Sequence, residues 1–521
     1  MNKRYLIFFL FIFVCSLLFS MPPRITADDM QRGEYLIPER SFSEGELIKR
    51  EFTGTFKAVV LFVDFPDKNN RAELSFFNDL LNSEGLDFKT KYPVSTNVSS
   101  VREYYQFESN NTFHLSFDVF GWFDMPQDYD YYVGSGKGLG SYPNNSQKLV
   151  EDAIAAADGV VDFSDYDNDN DGEVDFLLVV HAGTGAEFEG GTSDIWSHQW
   201  TIGTQYRDGV ALRRYSMQPE YWLQTNDMTI GVYCHELGHL IFGLPDLYDT
   251  TGNSYGIGYW GLMGGGSWND EMSKFGDNEE SGYGGAPAEF TAWSKLRIGW
   301  YDPITFDETR TDNVEMQSRG IYKCVNSQNG NQYFLYEFKE SNKYNDHLPG
   351  ENGVMIYRCD DQKYGNSQPW TPGTSKSYHY MVEIIQKDNL WSLENKTNRG
   401  DSTDLFFAGD QFNQYTEPEN FFYDDNLGIA INHILISQEM ATLVIGDLDF
   451  GIYLQELSGL NKIRCYIKKT GSELPVIRDE LGNPLAVKMV AGYDAIYYLD
   501  ILNSASDTVF ISDIPLNALN W

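Results

Sequence analysis

Three residues near the middle of the chain carry its clearest chemical signal: His235, Glu236 and His239, in the order H-E-x-x-H. Residues four apart on an α-helix stand one above the other on the same face. Two imidazoles at that spacing can therefore grip one metal ion, and the Glu between them is placed to handle a proton. The surrounding stretch, NDMTIGVYCHELGHLIFGLPDLYDT (Asn226–Thr250), reads as a helix. Asp227 or Thr229 is the expected N-cap, and Ile230, Cys234, Leu237 and Ile241 form an apolar stripe with both histidines on its flank. Gly243 suits a left-handed helix end, and Pro245 cannot continue the helix. Asp246, a hard oxygen donor, follows within reach of the same ion. The segment is read as a zinc site. The plainer alternative is a helix with two hydrogen-bonded core histidines.

A second acidic motif precedes it. In DYDNDNDGEVD (Asp165–Asp175), Asp167, Asp169 and Asp171 alternate ahead of Gly172, like the first half of a calcium loop, and Asp175 fits its ninth position. The twelfth position is Leu178 rather than a bidentate Glu, so the loop is not an EF-hand. Calcium here would pin the loop ahead of a core strand; an acidic surface turn is the alternative. His181 reads as a structural histidine at a strand end. Beyond the helix, the glycine-rich stretch Gly252–Gly285 contains WGLMGGGSW (Trp260–Trp268). A tight turn carrying a methionine, here Met263, beneath a zinc site is the signature of metzincin zinc proteases.

The elements that must position these residues follow from periodicity. Ala58–Phe65 is a continuous apolar run, as in a strand covered on both faces. Ser100–Phe107 and Ser146–Ala157 read as helices and Thr112–Trp122 as a strand, so α and β elements interleave. Glu289–Gly299 reads as the helix that closes the catalytic unit. From about Pro303 strands dominate, at Gln332–Phe338, Gly353–Arg358, Tyr378–Gln386 and Gly428–Leu435. The expected class is α+β, with a zincin-like or metzincin-like catalytic domain followed by a β-sandwich and a small β-rich C-terminal domain. The expected divisions are a signal peptide over 1–20, a propeptide or arm over 21–55, the catalytic domain over 56–302, the sandwich over 303–450 and the last domain over 451–521.

The 521 residues require several cores, and the net charge of −38 argues against nucleic acid, whose phosphates demand a basic patch. Asn2-Lys3-Arg4 followed by the apolar run Leu6–Phe19 reads as a secretory signal, and no other stretch is apolar enough to span a membrane. Past that run stand Cys234, Cys324, Cys359 and Cys465; Cys324 and Cys359 are candidates to pair across neighbouring strands. No cysteine lies between Cys15 and Cys234, so latency imposed by the arm would need an acidic side chain capping the metal. Arg399-Gly400-Asp401 reads as a chance tripeptide in a polar loop.

Taken together, SVREYY (Ser100–Tyr105), VVHAG (Val179–Gly183), DIWSH (Asp194–His198), HELGH with GLPDLYD (His235–Asp249), GLMGGGSW (Gly261–Trp268), NQYFLYEF, LPG and NRGDSTDLF resemble the immune inhibitor A family of secreted zinc metallopeptidases. The resemblance covers roughly residues 58 to 409. It implies zinc held by His235, His239 and a third ligand from the GLPD segment, here Asp246. One departure stands out: Leu240-Ile241-Phe242 separate His239 from Gly243, one residue more than the family spacing. An added residue rotates a helix by about 100°, so the turn must absorb it, and Asp249 and Glu289 remain alternative third ligands. The expected activity is hydrolysis of extracellular peptide bonds, with Glu236 as general base, zinc and calcium as cofactors, and C-terminal domains that bind a surface or substrate. The rival class is a calcium-stabilised surface-binding protein with a vestigial site; the intact His-Glu-His set argues against it.

Overall fold

The computed structural model describes residues 19–24, 52–190, 193–276, 279–350, 352–437 and 440–445, and only the backbone of strands between 452 and 512. Residues 1–18 of the expected signal (1–20) and residues 25–51 of the expected arm (21–55) lie outside the described residues, while Phe19 and Ser20, the end of the expected signal, form a strand.

The run AVVLFVDF becomes the middle of a six-stranded sheet. Its strands are β1 (Phe19–Ser20), β2 (Gly54–Asp64), β3 (Phe113–Asp124), β4 (Leu177–His181), β5 (His198–Arg207) and β6 (Val210–Pro219), in spatial order β1-β5-β6-β4-β2-β3. β2 runs parallel to both β3 and β4, and β4 parallel to β6. The other edge is antiparallel, β5 on β6 and β1 on β5. Because side chains alternate along a strand, Ala58, Val60 and Phe62 enter one core while Val59, Leu61 and Val63 enter the other. That double burial is why no polar residue interrupts the run.

Among the described residues the longer helices are α1 (Leu74–Asn82), α2 (Val101–Glu108), α3 (Ser146–Ala157), α4 (Ile230–Phe242) and α5 (Ala292–Ile298). α3 fills one face with Leu149, Val150 and Ile154. α1, α2 and α4 share the other with Phe77, Tyr105 and Leu237. α2 starts where Ser100 accepts from the Glu103 N–H (3.1 Å) while the Glu103 carboxylate accepts from the Ser100 N–H (3.2 Å). This reciprocal pair is the capping box that S-x-x-E spells out.

Beyond α5 the chain forms β7 (Ile304–Asp307), β8 (Val314–Gln317), β9 (Tyr322–Val325), β10 (Gln332–Lys339), β11 (Gly353–Asp360), β12 (Val382–Ile384), β13 (His433–Ile436) and β14 (Met440–Val444). They make two sheets, β12-β11-β10-β9-β7 and β13-β14-β8, whose Phe334, Ile356, Met316, Ile434 and Leu443 share one core. The opposite face of β10 and β11, through Leu335 and Tyr357, packs into the core that contains α4. Two strands are shorter than their apolar alternation suggests. Asn366 brackets Val382 with its side-chain amide (2.7 and 3.0 Å), and Asn420 takes the carbonyls of Gly428 and Ile429 (2.8 and 3.0 Å). Side-chain amides there occupy backbone groups that a ladder would otherwise use. Further strands at Ile452–Leu457, Lys462–Lys468 and Ile496–Leu502 keep the last stretch β-rich.

The candidate Cys324–Cys359 pairing is not made. β10 lies between their strands, and Cys324 stands opposite Phe334 while Cys359 stands opposite Tyr333. Adjacent residues of a strand face opposite sides, so the two thiols point into different cores. Alkylation of the protein denatured without reductant is expected to label both cysteines in a peptide map; a linked Cys324–Cys359 peptide would contradict this register.

Candidate metal centre

Every residue of α4 from Ile230 to Ile241 is buried, so the expected one-sided stripe is in fact a helix enclosed all round. Its N-terminus is satisfied from outside the helix, which corrects the sequence reading. Thr229 is the N-cap residue but makes no side-chain cap; its hydroxyl donates to the Tyr283 carbonyl. Asp227 instead closes its own turn, accepting from the N–H groups of Trp222, Leu223 and Gln224, each at 2.8 Å. The Ile230 N–H goes to the Asn97 carboxamide (2.9 Å) and the Gly231 N–H to the Gly284 carbonyl (2.9 Å). Periodicity gave no sign of Asn97, because its partner lies 133 residues away.

At the other end Gly243 takes φ 65°, and its N–H bonds the His239 carbonyl (3.0 Å). The Leu244 N–H reaches back to Gly238 (3.3 Å), so the turn absorbs the extra residue. Asp246 is thereby returned to the histidines. Its Oδ1 lies 3.2 Å from His235 Nε2 and 3.1 Å from His239 Nε2, and the two Nε2 atoms are 3.1 Å apart. The alternative ligands are engaged elsewhere. Asp249 accepts from Thr251 and Ser254, and Glu289 pairs with Lys295 at 2.5 Å.

The other ring nitrogens fix what those Nε2 atoms can be. His235 Nδ1 lies 2.9 Å from the Leu262 carbonyl and His239 Nδ1 lies 2.6 Å from the Leu244 carbonyl. A carbonyl can only accept, so both Nδ1 atoms carry the hydrogen and both Nε2 atoms present a lone pair. Burial pushes His239 below its usual value, toward the neutral imidazole. Three electron-pair donors thus face one another in a dry core, the arrangement that a small cation between them stabilises. The donor set fits a metal ion.

Met263 sits beneath. The turn is closed by the Gly264 N–H on the Gly261 carbonyl (3.0 Å), and the Met263 carbonyl receives the Leu247 N–H (2.8 Å). Gly238, between the two histidines, leaves the space: a Cβ there would stand 2.7 Å from Met263 Sδ. Glu236, also fully buried, follows His235 on the same helix. Tyr248, passed over in the sequence, places its ring 6.5 Å from that of His235.

The acidic loop is less complete than expected. Asp167, Asp169 and Asp175 bring carboxylate oxygens within 4.8 Å of one another, but Asp171 is not part of that group. Its carboxylate accepts from the Glu173 N–H (2.9 Å), and its own N–H serves Asp167 (3.0 Å). His181 is buried against Tyr129 and joins no metal group among the described residues; burial holds it down to about 3. In DIWSH, Ser197 binds buried Glu187 and His198 binds Tyr215 (2.9 Å), so this motif braces β5.

One further contact had no sequence signal. β1 adds antiparallel to the edge of β5, and the chain runs on beside it: Met21 N–H to the Ser197 carbonyl (3.2 Å), then the Trp196 and Trp268 indoles to the Met21 and Pro22 carbonyls (2.7 and 2.8 Å). Arg24 then bonds the Gly282 carbonyl (2.7 Å) and lies over Phe188 and Tyr283.

Two imidazoles and a carboxylate converging beside a buried Glu, on a helix laid against a mixed sheet, are the features of a metallopeptidase catalytic domain. Residues 50–301 match the family model of the immune inhibitor A peptidase M6 catalytic domain. It is 29% identical over 367 residues to the pre-pro-metalloprotease PrtV of Vibrio cholerae, covering 61% of this chain and 38% of that protein. It is 31% identical over 254 residues to immune inhibitor A of Bacillus thuringiensis subsp. alesti, covering 41% of this chain and 36% of that protein. The chain thus spans well under half the length of these relatives.

Close packing at the head of α4 yields a stability test. A Cβ on Gly231 would stand 1.9 Å from the Ser267 carbonyl oxygen, which belongs to backbone and cannot swing aside. Gly231→Ala is expected to cost about 1–3 kcal/mol as overpacking, read as a lower midpoint in denaturant melts; an unchanged midpoint would refute this packing.

Proposed function

We propose that the chain is a secreted zinc-dependent endopeptidase that hydrolyses peptide bonds of extracellular proteins, with Glu236 as general base. The observation that carries the reading is the convergence of His235, His239 and Asp246 donor atoms within 3.2 Å in a fully buried pocket. Zinc suits two neutral imidazoles and a carboxylate, with both rings oriented by hydrogen bonds to backbone carbonyls. When bound, the ion supplies Lewis acidity, lowering the pKa of water and polarising a carbonyl. Glu236 takes the proton from the attacking water and passes it to the leaving amine. The Leu262 and Leu244 carbonyls keep both rings in the ligating tautomer throughout. Met263 supports the helix from below.

Glu236→Ala is expected to lower casein cleavage at least ~10²-fold while zinc content, measured by plasma mass spectrometry, stays at the parent level. Full residual cleavage would exclude the mechanism. Asp246→Ala is expected to lose most of the bound zinc; retention would point to a different third ligand.

The arm is read as a latency device. An extended chain added to a sheet edge gains backbone hydrogen bonds as a peptide substrate would, and Phe19 and Ser20 pair with the β5 edge in that way, with Met21 continuing onto Ser197. The expected acidic cap is absent from Met21–Arg24, which reads Met-Pro-Pro-Arg; the acidic residues of the arm lie outside the described residues. A chain trimmed beyond residue 24 is expected to cleave casein several-fold faster than the full chain. Equal rates would rule out latency by this segment. Calcium at Asp167, Asp169 and Asp175 would pin the loop that leads into β4, and the β-rich C-terminal portion would bind a surface or substrate.

A further inference from the structure

A third group of acids lies away from both expected metal sites. In and before the stretch NRGDSTDLF, Asp388, Asp401 and Asp404 each bring a carboxylate oxygen within 4.8 Å of the others. The two basic residues nearest in sequence are committed elsewhere, Lys387 to Asp410 at 3.3 Å and Arg399 to Glu279. The Thr403 hydroxyl lies between Asp388 (2.7 Å) and Asp401, but three carboxylates at this separation still repel unless a cation or a proton lies among them.

Asp404 gives the independent sign of a ligand. It is 1% exposed. Its Oδ2 accepts from the Trp260 indole N–H (2.9 Å) and the Asp401 N–H (3.1 Å). Its Oδ1 is equally buried and receives no hydrogen bond. A buried carboxylate oxygen without a donor is strongly unfavourable unless something electropositive meets it. Burial, with Asp401 and Asp388 alongside, also pushes the Asp404 carboxyl up to about 7.

We propose that Asp388, Asp401 and Asp404 form a divalent-cation site of calcium chemistry, which clamps the 388–404 loop against Trp260. The donors are all hard carboxylate oxygens with no imidazole or thiolate, which favours calcium over zinc. Asp388 and Asp401 are partly exposed, so water can reach the ion and complete a flexible coordination shell. The site braces the metal centre indirectly. Trp260 stands two residues before Leu262, whose carbonyl orients His235. Gly400 lies flat on the same indole, where a Cβ would meet Trp260 Nε1 at 2.6 Å. Arg399 is folded inward over Tyr255, at 3.7 Å, so the Arg-Gly-Asp tripeptide forms part of this clamp and is not displayed as a ligand.

The test is calcium-45 equilibrium dialysis on the full chain after chelation, with zinc restored and measured in parallel. Asp388→Asn and Asp401→Asn are each expected to bind one calcium ion fewer per chain than the parent while keeping the parent zinc content. The rise in melting temperature on adding calcium is expected to shrink in both variants. Asp388→Asn carries the comparison if Asp401→Asn fails to fold. A parent and Asp388→Asn with equal calcium counts and equal calcium-induced shifts would overturn the site and leave a protonated Asp404 in its place. Asp169→Asn is the control for the earlier loop, and whatever it removes is counted separately.

Discussion

Two backbone carbonyls govern the centre of this protein. By accepting from Nδ1, Leu262 and Leu244 turn the lone pairs of His235 and His239 toward one another and toward Asp246. Neither carbonyl belongs to the helix that carries the histidines. One comes from the methionine turn and the other from the turn that ends the helix, so the site exists only while both turns stay against α4. Burying such polar groups is costly unless each finds a partner, and the surrounding structure is built around meeting that condition.

Glycine makes the approach possible. Gly231 admits the Ser267 carbonyl to the start of α4, and Gly238 admits the Met263 sulfur between the histidines. A side chain at either position would push a turn away and rotate an imidazole with it. The N–H groups at the helix start are met by Asn97 and Gly284, so distant segments, not the helix's own sequence, finish its hydrogen bonding.

The strand-rich half is fastened to this centre rather than appended to it. Lys295 on α5 lies among Glu289, Glu337 and Glu108, and Lys339 lies beside Glu337, all buried. Burial pushes Glu108 up to about 8, with Glu289 adding to that shift and Lys295 opposing it; Glu289 is held down to about 2, where Lys295 outweighs burial. Such a network contributes little net stability compared with apolar packing, but removing one partner leaves a buried charge uncompensated, at about 3–5 kcal/mol. It also accounts for Glu289 being no metal ligand. β10 divides its faces between the two cores, Leu335 toward α4 and Phe334 toward the sandwich sheets, so neither half can shift without disturbing the other.

What the sequence determined by itself is local and periodic. The four-residue spacing of His235 and His239, the S-x-x-E cap of α2, the left-handed stop at Gly243 and the doubly buried β2 all follow from backbone geometry within a few residues, and each is found as expected. Tertiary structure decided the rest. Asn97 rather than Asp227 or Thr229 satisfies the start of α4, Asp246 rather than Asp249 or Glu289 meets the histidines, and Asp175 rather than Asp171 joins Asp167 and Asp169. Cys324 and Cys359 stay apart because β10 intervenes, and β1 reaches the β5 edge across 180 residues of chain, Phe19 to Gln199. For Asn97, the two cysteines and β1 the deciding partner is remote along the chain. Periodicity records which face a residue shows, but only folding brings that face against another.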